Sequence, residues 1–471
     1  MIYIFPEIFL GSSLLLLLIG GSILGSSPKY NYPIICFQSL TCLILIWVIC
    51  LLQIDIDTCK IITNYFIVDT LSNSAKIIIS IGLLACLCIG KSKKIKIFEY
   101  YVLILLGFLG LCFLTISYDI ISVYLSLELI TLSFYILATF QRSSVFSTEA
   151  GLKYFLLGAI SSALLLFGAS LTYGFSGTTN LIDLKNLYIN IENQTLDLLI
   201  QCGLFFFCCG LLFKLGCVPF HNWVPDVYEG AATSVTAIFS VVPKIAIFTV
   251  LIRLLNATRP EIWSTLLLAL AFLSLFVGSV YALSQTKIKR LFAFSGISHV
   301  GYGLLGLSIC SLESFSSCIL YILIYIVTAL FLWGLTLCLE NKNGITLYLT
   351  DLVIWGKTNL TLGLTTILVI FSLAGIPPLG GFFAKFAVFA STIEASLYLG
   401  TIVGLLTSAI GILYYLRVVK LIHFEEAGWS RPIPLSKVHA LSIGLPAFFL
   451  IFFIFFGDFL ILITTNISIC F

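Results

Sequence analysis

Long apolar runs alternate with short polar stretches along the whole chain, and the length of those runs sets the architecture. A window of about 20 apolar residues crosses a ~30 Å hydrocarbon core as a helix. Fourteen such windows can be read, over residues 6–25, 34–54, 65–90, 98–117, 119–140, 152–175, 197–219, 231–255, 262–285, 291–310, 315–339, 360–389, 393–416 and 440–465. Strands of an outer-membrane barrel would alternate apolar and polar positions over about ten residues instead. The pattern therefore predicts an all-α polytopic membrane protein with no strands. The connections at 176–196, 340–359 and 417–439 are too short to hold a core of their own. The first run opens "MIYIFPEIFLG", with neither a basic n-region nor a small-residue cleavage site, so it is expected to be inserted as translated.

Composition sharpens this picture. Of 471 residues 60% are hydrophobic and 10% charged, the mean hydropathy is +1.15, and soluble domains carry about 25% charge. The 15 cysteines fall mostly inside apolar runs such as "LLACLCIG" and "LFFFCCGLL", with no zinc or iron–sulfur spacing. They read as small buried hydrophobes. No glycine-rich dinucleotide fingerprint is present, so redox chemistry would have to sit in other chains.

Charge sets the topology. Loops after odd-numbered spans hold Lys29, the run "GKSKKIK" at 90–96, Arg142, Lys153, Lys287, Lys289, Arg290, Lys342, Lys357, Arg417, Lys420, Arg431 and Lys437; loops after even-numbered spans hold only Lys60, Lys185, Arg253 and Arg259. The positive-inside rule then puts the odd loops on the matrix or cytoplasmic side and both termini opposite.

Four basic residues remain, and all lie inside spans: Lys76, Lys214, Lys244 and Lys385. A lysine at a helix centre costs ~2.5–3.5 kcal/mol on insertion scales and faces protein or water. Lys76 reads as a stem that snorkels to the interface or pairs with Asp69. The other three sit among polar company. Glu128 lies ~15 Å into its span, on one helical face with Tyr124, Thr131 and Tyr135. Thr233, Thr236, Ser240 and Lys244 share a face of the eighth span, and a polar stripe on an apolar helix must look inward. His299 sits ~13 Å beyond the basic loop at Arg290 and is a side chain that can change charge near neutral pH.

Two stretches echo each other. "FKLGCVP" at 213–219 and "FSLAGIP" at 371–377 share Phe, Leu, an aliphatic and Pro, which places Lys214 opposite Ser372. Pro219, and Pro377 with Pro378, break the seventh and twelfth spans. Broken helices at matching positions of two halves point to a transport site, because only neighbouring groups or water can satisfy the freed backbone. Five spans separate the breaks, so the second copy must be inverted. The division that results is an N-terminal segment 1–97, five-helix repeats at 98–255 and 256–418, and a C-terminal loop and helix at 419–471.

These motifs, together with "ALSQTKIKRLFAFSGISHVGY" and "FSLAGIPPLGGFFAKF", resemble the antiporter-like membrane subunits of proton-pumping NADH:quinone oxidoreductase, respiratory complex I. The likeness covers roughly residues 97–420. It implies fourteen helices, two inverted repeats and broken helices 7 and 12. It places the family's proton-relay glutamate at Glu128 and its relay lysines at Lys214, Lys244 and Lys385, with His299 a further candidate, and leaves Lys76 structural. The chain 4 branch has glutamate where this sequence has Lys385, and the chain 5 branch carries a long C-terminal extension not seen after Phe471.

The resemblance further implies that NADH, FMN, iron–sulfur clusters and ubiquinone belong to partner subunits and that this chain binds no cofactor or metal. Expected partners are the other membrane-arm subunits, including the neighbouring chain 4 and the small membrane subunits, and lipids such as cardiolipin, with no nucleic acid. The expected location is the mitochondrial inner membrane with termini on the intermembrane-space side, or a bacterial or chloroplast energy-transducing membrane. Protons would enter from the negative side, be held on Lys214 under the influence of Glu128, and pass through Lys244 and His299 to Lys385 for release opposite. The competing readings are a stand-alone multi-subunit cation/proton antiporter and a non-pumping scaffold whose buried charges lock helices together.

Overall fold

The computed structural model describes residues 4–24, 32–52, 60–63, 65–90, 97–190, 194–258, 260–343, 348–353, 359–425 and 437–469. Residues 91–96 of the basic run, and Lys29, Arg259, Lys357 and Arg431, lie outside them. The described chain is helical almost throughout: α1 (Phe5–Leu24), α2 (Tyr32–Leu52), α3 (Thr70–Ile89), α4 (Glu99–Ile116), α5 (Ile120–Ala138), α6 (Val145–Ser176), α7 (Leu181–Asn190), α8 (Gln194–Leu215), α9 (Trp223–Gly230), α10 (Thr233–Ala257), α11 (Pro260–Ser284), α12 (Ile288–Leu307), α13 (Leu312–Asn343), α14 (Leu360–Ala374), α15 (Gly380–Glu394), α16 (Tyr398–Phe424), α17 (Lys437–Ile451) and α18 (Phe453–Ile469).

Each expected span has its helix. The seventh is split into α8 and α9, the twelfth into α14 and α15, and the last into α17 and α18, which meet at 82°. Among the described residues ten helices are by themselves long and apolar enough to cross a membrane, or eleven with that bent pair as one span. The shortfall from fourteen has a physical cause. The twelfth span is divided into two short pieces, the described apolar part of α2 is only Phe37–Leu52, and α12 is diluted by Lys289, Arg290, Ser295, Ser298 and His299.

One expectation fails outright. Lys60–Thr63 (β1) and Phe66–Val68 (β2) form an antiparallel pair before α3, with Lys60 opposite Val68. The β-branched run "KIITNYFIV" favours extended backbone, and a hairpin lets both short segments satisfy their N–H and C=O groups within the protein.

The core forms around α10. Only Pro243 and Asn256 of that helix are even half-exposed, and it packs against α3, α4 and α13. Around it α6 pairs with α8, and α11 with α12, through close glycine contacts such as Gly168 on Phe207 N and Gly278 on Ser298 N, the small-residue packing typical of membrane helices. Helix starts follow polar caps: Asp69 caps α3, Asp119 caps α5 and Ser144 caps α6. The outer surface carries exposed apolar side chains such as Leu16, Leu399 and Phe455, as a lipid-facing surface requires.

Buried charge is distributed differently from the sequence expectation. Lys76 neither snorkels nor meets Asp69; it is buried and ion-paired with Glu7 of α1. Asp69 instead takes Arg253 of α10, whose Nη2 donates to both carboxylate oxygens at 2.8 and 2.9 Å while Nη1 donates to Ser117 O at 2.9 Å. Arg253, counted above as loop charge, is thus an internal residue tying α3, α4 and α10.

Candidate functional site: buried lysines at two helix breaks

Both breaks are built by the same backbone device. α8 ends at Gly216 with φ +74° and α14 at Gly375 with φ +88°, a left-handed conformation open to glycine without penalty. Gly216 N donates to Leu212 O (3.1 Å) and Phe213 O (3.0 Å), and Cys217 N to Leu212 O (3.3 Å); Gly375 N donates to Phe371 O and Ser372 O, and Ile376 N to Phe371 O, each at 3.0 Å. This is the Schellman pattern that closes a helix C-terminus. The peptide bonds before Pro219 and Pro378 are both cis.

This hydrogen-bond register corrects the alignment read from the sequence. It pairs Gly216 with Gly375 and Pro219 with Pro378, and so sets Lys214 opposite Leu373 rather than Ser372. The shared Phe and Leu suggested a shift of one residue, but only glycine takes the left-handed position freely, and it pins the register.

Lys214 is buried in the last turn of α8, and its Nζ hydrogen-bonds to nothing among the described residues. It lies 6.0 Å from the centroid of the Tyr135 ring and within the electrostatic reach of Glu128. No ion pair joins the two among the described residues. Glu128 is half-buried on α5 with a shielded, unpartnered Oε1, so the pair is poised rather than closed. Tyr135 on the same face covers Gly158 of α6 and stands edge-on to Tyr154.

Lys244 and Lys385 are held more firmly. Lys244 Nζ donates to Tyr325 Oη at 2.7 Å and to Gly296 O at 3.4 Å. Lys385, on α15, reaches back across the second break and donates to Ala374 O at 2.9 Å. It thereby places a cation at the carbonyl end of α14, the end a helix dipole makes negative. Its Nζ also stands 5.3 Å from the Tyr302 ring.

Between them His299 of α12 is buried, with Nδ1 2.6 Å from Tyr321 Oη and Nε2 3.2 Å from Tyr415 Oη. A small cavity lined by His299, Tyr321, Tyr325, Thr328, Ser372 and Lys385 joins the second break to this ring. The structure thus gathers Lys244, His299 and Lys385 around one cluster, and Lys214 and Glu128 near another. Sequence reasoning missed the tyrosines that connect the first cluster; the spacing of Tyr321 and Tyr325, one turn apart on α13, was the signal available.

A second missed group sits where α6, α9 and α12 meet. Asp226 of α9 accepts from Lys153 Nζ at 2.8 Å and Arg290 Nη2 at 2.6 Å, Glu229 takes Arg290 Nε at 2.9 Å and pairs with Lys287, and Lys153 also meets Glu149 at 2.8 Å. All these residues are partly exposed. Trp223 Nε1 donates to Phe213 O at 3.0 Å, which fixes α9 to the end of α8. No group of three or more His, Cys, Asp or Glu able to hold a metal is found among the described residues.

Comparison with known proteins agrees with this architecture. A family profile described as "NADH:quinone oxidoreductase/Mrp antiporter, TM" matches residues 117–411. NADH-ubiquinone oxidoreductase chain 2 of Marchantia polymorpha is 36% identical over 480 residues, covering 99% of this chain and 98% of the relative. NADH-quinone oxidoreductase subunit N of Pelagibacter ubique is 39% identical over 431 residues, with 90% of each chain covered. Among solved structures, a chain of respiratory complex I from Thermus thermophilus with bound aureothin is similar at TM-score 0.81 and 27% identity, covering 97% of this chain and 98% of its own. A chain of the Mrp complex from a Dietzia species reaches TM-score 0.84 at 19% identity over 98% and 96%, a likeness of fold alone. With a profile over more than half its length and near full-length relatives above 30% identity, the chain belongs to the NADH:quinone oxidoreductase/Mrp antiporter membrane family, in the branch of NADH-ubiquinone oxidoreductase chain 2 and subunit N.

Proposed function

We propose that this chain translocates protons as a membrane-arm subunit of a mitochondrial NADH:ubiquinone oxidoreductase, through Glu128, Lys214, Lys244, His299 and Lys385. The observation that carries the reading is the placement of three buried lysines, two of them at the helix breaks, with a histidine held between tyrosine hydroxyls beside the second. Uncompensated cations cost several kcal/mol at membrane depth, and intramembrane ionisable groups mark ion pathways.

Among the described residues Lys214 has no hydrogen bond to hold its proton in place, and Glu128 is near without touching it. A shift of either side chain therefore changes whether Lys214 keeps its proton. Released inward, the proton reaches Lys244, then the His299 and Lys385 cavity, and leaves on the positive side. The energy comes from quinone reduction in partner subunits, which hold NADH, FMN, the iron–sulfur clusters and ubiquinone. This chain works by binding and releasing protons only. Its neighbours would be chain 4, the small membrane subunits and acidic lipids such as cardiolipin, with both termini in the intermembrane space.

The test uses the assembled complex in membrane vesicles. Lys214→Met and Glu128→Gln should each lower the proton-to-electron ratio, and the double variant should be no worse than the more damaged single one, because residues acting as a unit are non-additive. Native gels verify assembly. A fully assembled double variant pumping at the normal ratio would make these residues structural.

A further inference from the structure

Lys244 and the cavity that receives Lys385 are not in direct contact, and one side chain spans the gap. Tyr325 accepts a hydrogen bond from Lys244 Nζ at 2.7 Å, and Tyr325 is also one of the residues lining the cavity shared by Lys385 and His299. No other lining residue bonds Lys244 among the described contacts. The cavity has room for about one water molecule beside polar groups able to hold it. Gly296 of α12 makes the approach possible, since a Cβ there would stand 3.1 Å from Tyr325 Oη and 3.3 Å from Lys244 Nζ.

We infer that the Tyr325 hydroxyl carries the proton between Lys244 and Lys385, an assignment that rests on the relay reading above. As the N–H bond of the Lys244 ammonium breaks, its proton goes to Tyr325 Oη. The hydroxyl's own proton leaves to the cavity water, and that water gives one of its protons to a neutral Lys385 amine. Lys244 ends neutral, Lys385 ends as the ammonium, and the phenol and the water are unchanged apart from a hydroxyl rotation that resets them. Both nitrogens of His299 are already bonded, to Tyr321 and Tyr415, so these tyrosines act as positioning residues for the imidazole at the cavity, and the transfer that the relay reading gives to His299 moves onto Tyr325.

Tyr325→Phe removes only the hydroxyl and keeps the ring that packs 5.1 Å from His299. It is compared with Lys244→Met in the assembled complex by proton-to-electron ratio and by the solvent deuterium effect on coupled NADH oxidation. The expected result is that Tyr325→Phe loses as much of the ratio as Lys244→Met, with a changed isotope effect that a merely structural role would not produce. A normal ratio in Tyr325→Phe beside a lost ratio in Lys244→Met overturns the tyrosine assignment and leaves the relay standing. A normal ratio in both overturns the relay and the assignment together. Should Tyr325→Phe fail to assemble, Gly296→Val puts a branched side chain into the place where even a Cβ would stand 3.1 Å from Tyr325 Oη and 3.3 Å from Lys244 Nζ, parting the two groups without altering either, and a normal ratio in that assembled variant likewise overturns the assignment.

Discussion

Arg253→Met keeps the length and apolar stem of the side chain and removes the charge. The guanidinium and the Asp69 carboxylate are 1% and 3% exposed, joined by two bonds of 2.8 and 2.9 Å, with a third to Ser117 O. Without Arg253, the Asp69 carboxylate keeps, among the described residues, only the N–H of Ser72, at 2.7 Å, as N-cap of α3. Breaking a buried pair from one side costs ~3–5 kcal/mol, because the surviving charge is left unpaired. That is a factor of ~10²–10⁴ in an equilibrium at ~1.4 kcal/mol per decade. Adding Asp69→Asn removes the orphan charge and keeps an oxygen that can cap Ser72 N, so the double variant should recover at least ~2 kcal/mol of that loss. The assay is the temperature at which the complex in native membranes loses its integrity on native gels and its resistance to limited proteolysis. A single variant as heat-resistant as the unaltered protein would refute the cost, and a double variant no better than the single would refute the orphan charge as its origin.

Gly375→Ala should impose ~1–2 kcal/mol of left-handed backbone strain and set a methyl 3.0 Å from Lys385 Cδ and 3.3 Å from Nζ. The Ala374 hydrogen bond should be displaced and the proton-to-electron ratio lowered. Gly177→Ala carries the same kind of strain at φ +71° with open space around it, and an equal loss of ratio there would show that the lysine contact is not the cause. Cysteines introduced at the exposed Ser143 and Ser311 should label from opposite sides of the membrane, Ser143 from the matrix; labelling from one side would overturn the topology. Glu128→Asp, which keeps the charge with a shorter reach, should lose less pumping than Glu128→Gln, and equal losses would count against charge as the property in use.

Membrane helices, helix breaks and intramembrane lysines were legible because each is written locally, in apolar length, in proline and glycine, or in a charge where none is cheap. What was not legible depends on long-range pairing. Lys76 finds Glu7 across α1 and α3, and Asp69 finds Arg253 across most of the first half of the chain. No local spacing distinguishes Arg253, near the end of its span, from a loop cation. The break register was misread by one residue because matching Phe and Leu side chains outnumber a single glycine, although backbone conformation depends on the glycine. The site's lysines could be picked out singly; that Tyr325 bridges Lys244 to the Lys385 cavity required α10, α13 and α15 to be in place together.

The junction of α6, α9 and α12 differs in kind from the deep pairs. Lys153, Lys287 and Arg290 balance Glu149, Asp226 and Glu229 where water reaches them, whereas Lys76–Glu7 and Arg253–Asp69 are sealed. Dissolved salt therefore acts on one set and spares the other: the screening length shrinks from ~30 Å at 0.01 M to ~3 Å at 1 M, for exposed charges far more than for buried ones. High ionic strength should slacken the hold of α12 on α9 and leave the tie between α3 and α10 intact, so the chain has one electrostatic fastening that the surrounding medium can adjust and another that it cannot.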